Sequence, residues 1–134
     1  MKKALLPVAV MIFGANICAA DAEEIALDCQ ITDKSGETYK AHIETDGVGL
    51  TIRQNDGRSS YYANKKDGDS EYFLRITPSD IAFGSTYSFL NVRQEMIINR
   101  RTGEMVTNRN MNGENMPRVE VGQCEKVTIE PKKF

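Results

Sequence analysis

The chain has 134 residues, with 17 Lys and Arg against 19 Asp and Glu, a net charge of −2 and a single histidine. This charge balance argues against a general nucleic-acid-binding or anionic-membrane-binding protein, because both need a basic surface. The length fits one domain.

The N-terminus has the pattern of a secretory signal peptide. Two lysines follow the first methionine, and a mostly apolar segment covers residues 4–17. Small residues then allow cleavage after Ala20 or Ala22. An uncleaved membrane anchor is the alternative, but the apolar segment is short and contains proline and glycine. We therefore predict a signal peptide over 1–20, a single β domain over 21–134 with a frayed C-terminal tail, and a periplasmic or secreted bacterial protein with no membrane span after processing.

Removal of the leader would leave two of the three cysteines, Cys29 and Cys124, near opposite ends of the mature chain. An isolated pair in an oxidising compartment predicts a disulfide, and two buried free thiols are the alternative. The same cleavage removes two lysines, so that a mature chain with 15 basic and 19 acidic residues has a net charge of −4.

The mature chain consists of short segments in which apolar and polar residues alternate. Ile25, Leu27, Cys29 and Ile31 give the first such strand, and Asp-Gly pairs punctuate the segments that follow. Apolar spacing typical of a helix never persists for three turns. We predict an all-β, antiparallel domain of about eight strands, either a barrel or a sandwich, with the Cys29–Cys124 disulfide tying the first strand to the last and helping to close the two edges of the sheet.

The later part of the chain contains the clearest hairpin. Residues 94–108 read as two strands joined at Arg101-Thr102-Gly103, where Gly103 supplies a positive φ. We predict that Met96 and Met105 fill the core. Residues 87–92 fit a strand slightly better than the alternative, a helix, and no capping box marks a helix start. A polar loop is predicted over 109–117, followed by a last strand carrying Cys124.

Catalytic and metal-binding candidates are weak. His42 and Glu44 share a strand face, but no nucleophile elbow accompanies them, which predicts a protein that is not an enzyme. Carboxylates at 67–71 lack the spacing of a specific Ca²⁺ loop. Met111 and Met116 could serve as thioether ligands for Cu(I), without a regular motif. We predict no metal and no cofactor.

Binding is the function that the remaining residues favour. Guanidinium groups suit carboxylate or phosphate recognition, and a tyrosine pair beside two lysines could anchor a partner. The predicted binding residues are Arg100, Arg101, Arg109, Arg118, Tyr61 and Tyr62. The predicted partner surface is the rim of the 94–108 hairpin together with the loop at 109–117. The alternative is that the arginines balance the acidic N-terminal half. The predicted partner is another protein or a small anionic ligand, and the oligomeric state stays open.

Two resemblances bear on this prediction. The segments Ile97-Ile98-Asn99-Arg100-x-Thr102-Gly103 and Val121-Gly122-Gln123-Cys124 resemble those of small exported bacterial β-proteins of unknown function. That resemblance implies an exported β domain and no particular activity. Ser59-Ser60-Tyr61-Tyr62 with Lys65-Lys66-Asp67-Gly68 is similar, less closely, to the inhibitory loops of periplasmic lysozyme inhibitors, although a glycine and a threonine are missing. It implies an inhibitor of a cell-wall hydrolase that acts through the turn at 61–68.

Overall fold

The computed structural model describes residues 24–128, so the predicted signal peptide and the C-terminal tail lie outside the described residues. The described chain is all-β, as predicted, and contains no helix that is long and apolar enough to cross a membrane. Its ten strands are β1 Ile25–Asp33, β2 Thr38–Thr45, β3 Gly49–Gln54, β4 Ser59–Ala63, β5 Lys65–Asp67, β6 Ser70–Ile76, β7 Asp80–Tyr87, β8 Val92–Asn99, β9 Glu104–Met111 and β10 Glu114–Lys126. The predicted number of about eight was wrong.

All ten strands form one antiparallel sheet in the order β4-β3-β2-β1-β10-β9-β8-β7-β6-β5. The two edge strands, β4 and β5, follow each other in the chain with only Asn64 between them, and β4 lies against β6 and β7. The sheet therefore curls into a nearly closed barrel rather than a sandwich.

The Asn64 side chain links the corner between the two edge strands to β6. Its Nδ2 donates a hydrogen bond to the Leu74 carbonyl at 3.1 Å, and the Leu74 amide donates to its Oδ1 at 3.0 Å. An amide side chain thus makes the pair of bonds that a neighbouring strand would make with β6. This pair joins the corner between β4 and β5 to the middle of β6.

The Cys29–Cys124 disulfide is present, as predicted. The two cysteines lie directly opposite each other where β1 and β10 pair, with a Cα–Cα distance of 4.0 Å. The prediction that the disulfide helps to close the edges of the sheet was wrong, because the first and last strands meet in the middle of the strand order. The edges come from the middle of the chain instead.

Inward-facing residues of alternate strand positions fill the barrel. The largest fully buried side chains are Phe83, Ile31, Ile43, Leu50, Ile81, Ile98, Met105 and Thr107. Met96 and Met105 are buried, as predicted. Apolar packing of this kind supplies most of the stability of the domain.

One end of the interior is polar. Tyr39 Oη donates a hydrogen bond to Glu120 Oε2 at 2.9 Å, and Thr107 Oγ1 donates to Glu120 Oε1 at 3.1 Å. Burial of the phenol, followed by its hydrogen bond with Glu120, raises the pKa of Tyr39 far above its ordinary value. The pKa of Tyr62 is also raised, chiefly by burial.

Two predicted segments near the end of the chain were wrong. Tyr87 ends β7 and Val92 begins β8, so a turn occupies most of the predicted strand at 87–92. The predicted polar loop at 109–117 is mostly strand, because β9 continues to Met111 and β10 begins at Glu114. Asn112 and Gly113 connect them with φ values of 54° and 83°, as the Asn-Gly pair of a tight hairpin requires. Gly103 has the predicted positive φ, 80°.

Candidate functional site

The predicted arginine surface is divided between opposite ends of β8 and β9. Arg100 and Arg101 lie at the turn between these strands, beside a recess of about 270 Å³ at one end of the barrel. Arg100 Nη1 donates a hydrogen bond to the Thr77 carbonyl at 2.8 Å, so this guanidinium joins the β8–β9 turn to the segment between β6 and β7. Arg101 is exposed.

The other two predicted arginines lie toward the opposite end. Arg109 uses Nε and Nη2 to donate to Gln94 Oε1 at 3.0 and 2.8 Å. Arg118 is exposed in the irregular part of β10, where its amide donates to Asn108 Oδ1 at 2.9 Å. The hairpin rim and the 109–117 segment therefore do not form the single surface that the sequence analysis proposed.

The predicted tyrosine pair is also separated, because adjacent strand residues point to opposite faces. Tyr61 is 62% exposed on the outer face, and its hydroxyl lies over Gly49, where a Cβ would collide with it. Tyr62 faces inward, with its ring centroid 5.1 Å from that of Phe83 and 6.4 Å from that of Tyr72. Tyr61 is therefore accessible to a partner, whereas Tyr62 packs in the interior of the barrel.

A hollow of about 630 Å³ lies across β10, β1, β2 and β3, and we call it the dipolar hollow. Four of its lining residues form a row across these strands, since Glu125 is opposite Asp28, Asp28 is opposite His42, and His42 is opposite Arg53. The row therefore runs from two carboxylates through an imidazole to a guanidinium. Lys40 adds a second cation on the β2 side.

A short contact between an imidazole and a carboxylate holds the centre of the row. His42 Nδ1 lies 2.7 Å from Asp28 Oδ1, and His42 Nε2 lies 3.6 Å from Glu44 Oε2. A proton on Nδ1 makes the first contact a hydrogen bond and fixes the orientation of the ring. The side chains of His42 and Asp28 are 35% and 57% exposed, so a ligand in the hollow could reach both.

The outer parts of the row lack such partners. The three acid–base side-chain pairs found within residues 24–128 are those of His42 with Asp28, His42 with Glu44, and Arg58 with Asp56, and the two made by His42 are ion pairs only when its ring is protonated. Glu125 and Arg53 take part in none of them. Directly opposed carboxylates such as Asp28 and Glu125 repel each other on a sheet, so this arrangement costs stability unless something positive lies nearby.

The remaining lining residues offer hydrogen bonds rather than a nucleophile. Gln30 and Gln123 lie on the same face as the row, because each is two residues from one of its members, although Gln123 Nε2 already donates to the Thr102 carbonyl at 2.6 Å. The only two sulfurs in the lining belong to the disulfide, and the other lining residues are Gln54, Asn55 and Ala41. Carboxamides can donate and accept at once, which suits a polar ligand with peptide or hydroxyl groups.

The metal candidates find no support in the geometry. Within residues 24–128, no three His, Cys, Asp or Glu side chains are grouped so that they could hold a metal ion, and this includes the carboxylates at 67–71. Met111 is 40% exposed at the end of β9, opposite Glu114. Met116 pairs across the same hairpin with Arg109, a cation that does not favour a metal beside it.

Most residues of the dipolar hollow are not marked as site residues by any motif in the sequence. Asp28 and His42 could have been placed on outward faces from the two-residue period, but the strand that pairs with each was unknown. The predicted disulfide could have given the register of the first strand against the last. If Cys29 is opposite Cys124 in an antiparallel pair, Asp28 must be opposite Glu125.

No protein-family model matches this sequence, and comparison with characterised proteins gives no significant match. The chemistry of the surface is therefore the basis on which a function is proposed.

Proposed function

We propose that this protein is an exported binding protein rather than an enzyme, and that its ligand is a small zwitterionic molecule, such as a short peptide, held in the dipolar hollow. The observation that supports the proposal is the row Glu125–Asp28–His42–Arg53 across four neighbouring strands. The disulfide, which fits an oxidising compartment, supports export.

The row matches a ligand that carries a cation at one end and an anion at the other. Two carboxylates on β10 and β1 can accept hydrogen bonds from an ammonium group, and Arg53 with Lys40 can pair with a carboxylate. Neighbouring strands are about 4.8 Å apart, so about 10 Å separates the backbones of Asp28 and Arg53. An extended tripeptide spans about that length.

The bound ligand would also relieve the repulsion within the hollow. An ammonium group near Glu125 and Asp28 supplies positive charge to this opposed pair, since His42 contacts Asp28 and Glu44 but forms no ion pair with Glu125. The carboxamides around the row can then bind the peptide groups between the two charges. A lining without a serine, a threonine or a free thiol suits retention of the ligand rather than its cleavage.

Triglycine tests this proposal. We expect ¹⁵N-edited NMR titration to show saturable shifts of the amides of Asp28, His42 and Arg53, with a dissociation constant of about 1 mM or below. N-acetyl triglycine amide has the same length without the two charges, and it should bind much more weakly. Arg53→Gln and Glu125→Gln should each weaken triglycine binding, whereas Lys34→Gln, in an exposed turn, should not. Equal binding of the charged and the capped peptide would refute the proposal.

A second candidate function, inhibition of a cell-wall hydrolase through the turn at 61–68, has one observation in its favour. The corner that carries the exposed Lys65 and Lys66 is fixed by the two hydrogen bonds between Asn64 and Leu74. Cleavage sites of such hydrolases contain paired carboxylates, which a fixed cationic corner complements. A lysozyme clearing assay with wild-type protein and Lys65→Gln/Lys66→Gln protein tests it, and full lysozyme activity at equimolar wild-type protein would exclude inhibition of that enzyme.

A further inference from the structure

A second hollow, of about 510 Å³, lies on the outer side of the sheet across β5, β6, β7 and β8, and we call it the basic hollow. Three cations share its outer face with a single carboxylate, and all four side chains are exposed: Lys66, Arg75, Arg93 and Glu71. Lys65 also borders the hollow, but it lies opposite Tyr72 and so on the other face of β5. None of the three ion pairs found within residues 24–128 involves any of them. The hollow is therefore strongly positive in a chain whose net charge is −2.

Strand pairing sets the distances between the cations. Lys66 is opposite Glu71, Glu71 is opposite Thr86, and Thr86 is opposite Arg93. Three strand spacings of about 4.8 Å place the backbones of Lys66 and Arg93 about 14 Å apart. Arg75 lies four residues along β6 from Glu71, or about 13 Å at 3.3 Å per residue.

An aromatic ring lies between these charges. Phe73 is opposite Gly84, and a Cβ on Gly84 would come within 2.9 Å of Phe73 Cε1, so the ring covers the glycine. The ring is half-buried and forms part of the lining. It offers an apolar surface about midway between Glu71 and Arg75, and the flat C–H face of a sugar ring can pack on such a surface.

We propose that the basic hollow binds a saccharide that carries two or more phosphate groups, either free or as the head group of a lipid. The backbones of Lys66 and Arg93 are about 14 Å apart, so each side chain can pair with its own anionic group without crossing the hollow, and this spacing favours two anionic groups held by a scaffold. Guanidinium groups form bidentate hydrogen bonds with phosphate oxygens, and lysines add point charges. A bound polyanion would also reduce the repulsion among these cations, which take part in none of the ion pairs found within residues 24–128.

This site is separate from the dipolar hollow, because the two hollows share no lining residue. The proposal therefore does not depend on the proposed function, and either can fail alone. A charge-matched pair of variants uses this separation. Lys66→Gln/Arg93→Gln removes two cations from the basic hollow, and Lys40→Gln/Arg53→Gln removes two from the dipolar hollow.

The experiment measures binding of fructose 1,6-bisphosphate and of inorganic phosphate by calorimetry and by NMR shifts of Glu71, Thr86 and Arg93. Cosedimentation with phosphatidylcholine vesicles, with or without a bis-phosphorylated glycolipid, tests the lipid source. We expect the bisphosphate to bind more tightly than inorganic phosphate. We also expect the affinity for the bisphosphate to fall as salt is added. Each lost cation should weaken binding about tenfold, so Lys66→Gln/Arg93→Gln should lose about a hundredfold while Lys40→Gln/Arg53→Gln stays near wild type.

Binding of the soluble bisphosphate supports the site with a free saccharide as ligand, and binding only to glycolipid vesicles supports it with a lipid head group. Inorganic phosphate binding as tightly as the bisphosphate would overturn recognition of two phosphates. The absence of binding to either probe would overturn the site, and so would equal affinity in Lys66→Gln/Arg93→Gln protein with an unchanged circular dichroism spectrum.

Discussion

Reduction of the Cys29–Cys124 disulfide should remove a large part of the stability of the barrel. The bond joins residues separated by 95 positions. In the chain-entropy description, opening a loop of that length frees the unfolded chain and costs about 4.7 kcal/mol at 25 °C. A domain of this size has a total free energy of unfolding of about 5–15 kcal/mol, so the loss is a large fraction of it.

The native structure itself should change little on reduction. β1 and β10 pair over seven positions from Leu27–Lys126 to Asp33–Glu120, and the cysteines are one pair among them. The backbone ladder and the buried side chains on both strands remain when the sulfurs separate. We therefore expect the far-UV circular dichroism spectrum of the reduced protein to match that of the oxidised protein in the absence of denaturant.

Urea unfolding of oxidised protein, dithiothreitol-reduced protein and Cys29→Ala/Cys124→Ala protein measures the effect. The reduced wild type retains both sulfur atoms and so separates the cross-link from the loss of buried volume. We expect a midpoint lower by about 1.6–4.7 M in the reduced form, given the loss of about 4.7 kcal/mol and a denaturant slope of about 1–3 kcal/mol per M. A difference in unfolding free energy below about 1 kcal/mol would refute the argument from loop length.

Three further predictions concern single side chains. Asn64→Ala should cost about 1–3 kcal/mol of unfolding free energy, because it leaves the Leu74 amide and carbonyl without their partner. Asn115→Ala, on the exposed part of β10, should change the unfolding free energy by less than about 0.5 kcal/mol. Equal urea midpoints for the two variants would contradict the role of Asn64. Tyr39 has a raised pKa in the folded protein, chiefly from burial and then from Glu120, so the stability it contributes is present below about pH 10 and is lost as the pH rises from there. Tyr39→Phe should therefore make the decline of the urea midpoint above pH 10 shallower. An unchanged slope of the urea midpoint against pH would contradict this. Gly103→Ala places a Cβ against the Cys124 carbonyl at a φ of 80°, whereas Gly36→Ala meets a φ of 91° with nothing within 4 Å, so thermal denaturation should show a larger loss for Gly103→Ala than the cost of about 1–2 kcal/mol from the left-handed backbone alone.

The sequence predicted the parts of the fold where local chemistry and burial agree. The first strand alternates because Ile25, Leu27, Cys29 and Ile31 all face a packed interior. The Asp-Gly turns were found because the glycines adopt positive φ, as at Gly47 and Gly57. These signals are contained in a few adjacent residues, so they can be read without the tertiary structure.

The errors arose where a strand has little apolar alternation. β5 is three exposed polar residues, Lys65–Asp67, and is defined only by its pairing with β6. The outer part of β9 and the start of β10 consist largely of asparagine, arginine and methionine. Asn112-Gly113 was the local signal for that hairpin, and the polar composition around it led to the prediction of a loop.

The candidate site was harder to predict because it depends on which strands are neighbours. Arg100 and Arg109 are nine residues apart in sequence and were expected on one surface, but a whole strand length separates the β8–β9 turn from the end where Arg109 lies. In contrast, Asp28 and Glu125 are far apart in sequence and directly opposite in the sheet. Composition alone cannot give either relation.

The packing of the barrel explains why both proposed sites lie on its outer side. The described interior is occupied by large apolar side chains such as Phe83, Ile43 and Met105, and its polar end is occupied by the hydrogen-bonded Tyr39, Glu120 and Thr107. A ligand inside the barrel would have to displace these contacts, at several kcal/mol for each large side chain. On the outer face, the two hollows are lined by charged side chains, most of which take part in none of the ion pairs found within residues 24–128. A ligand that supplies those partners gains hydrogen bonds and ion pairs without disturbing the core, so we expect charge, rather than enclosed volume, to determine what this barrel binds.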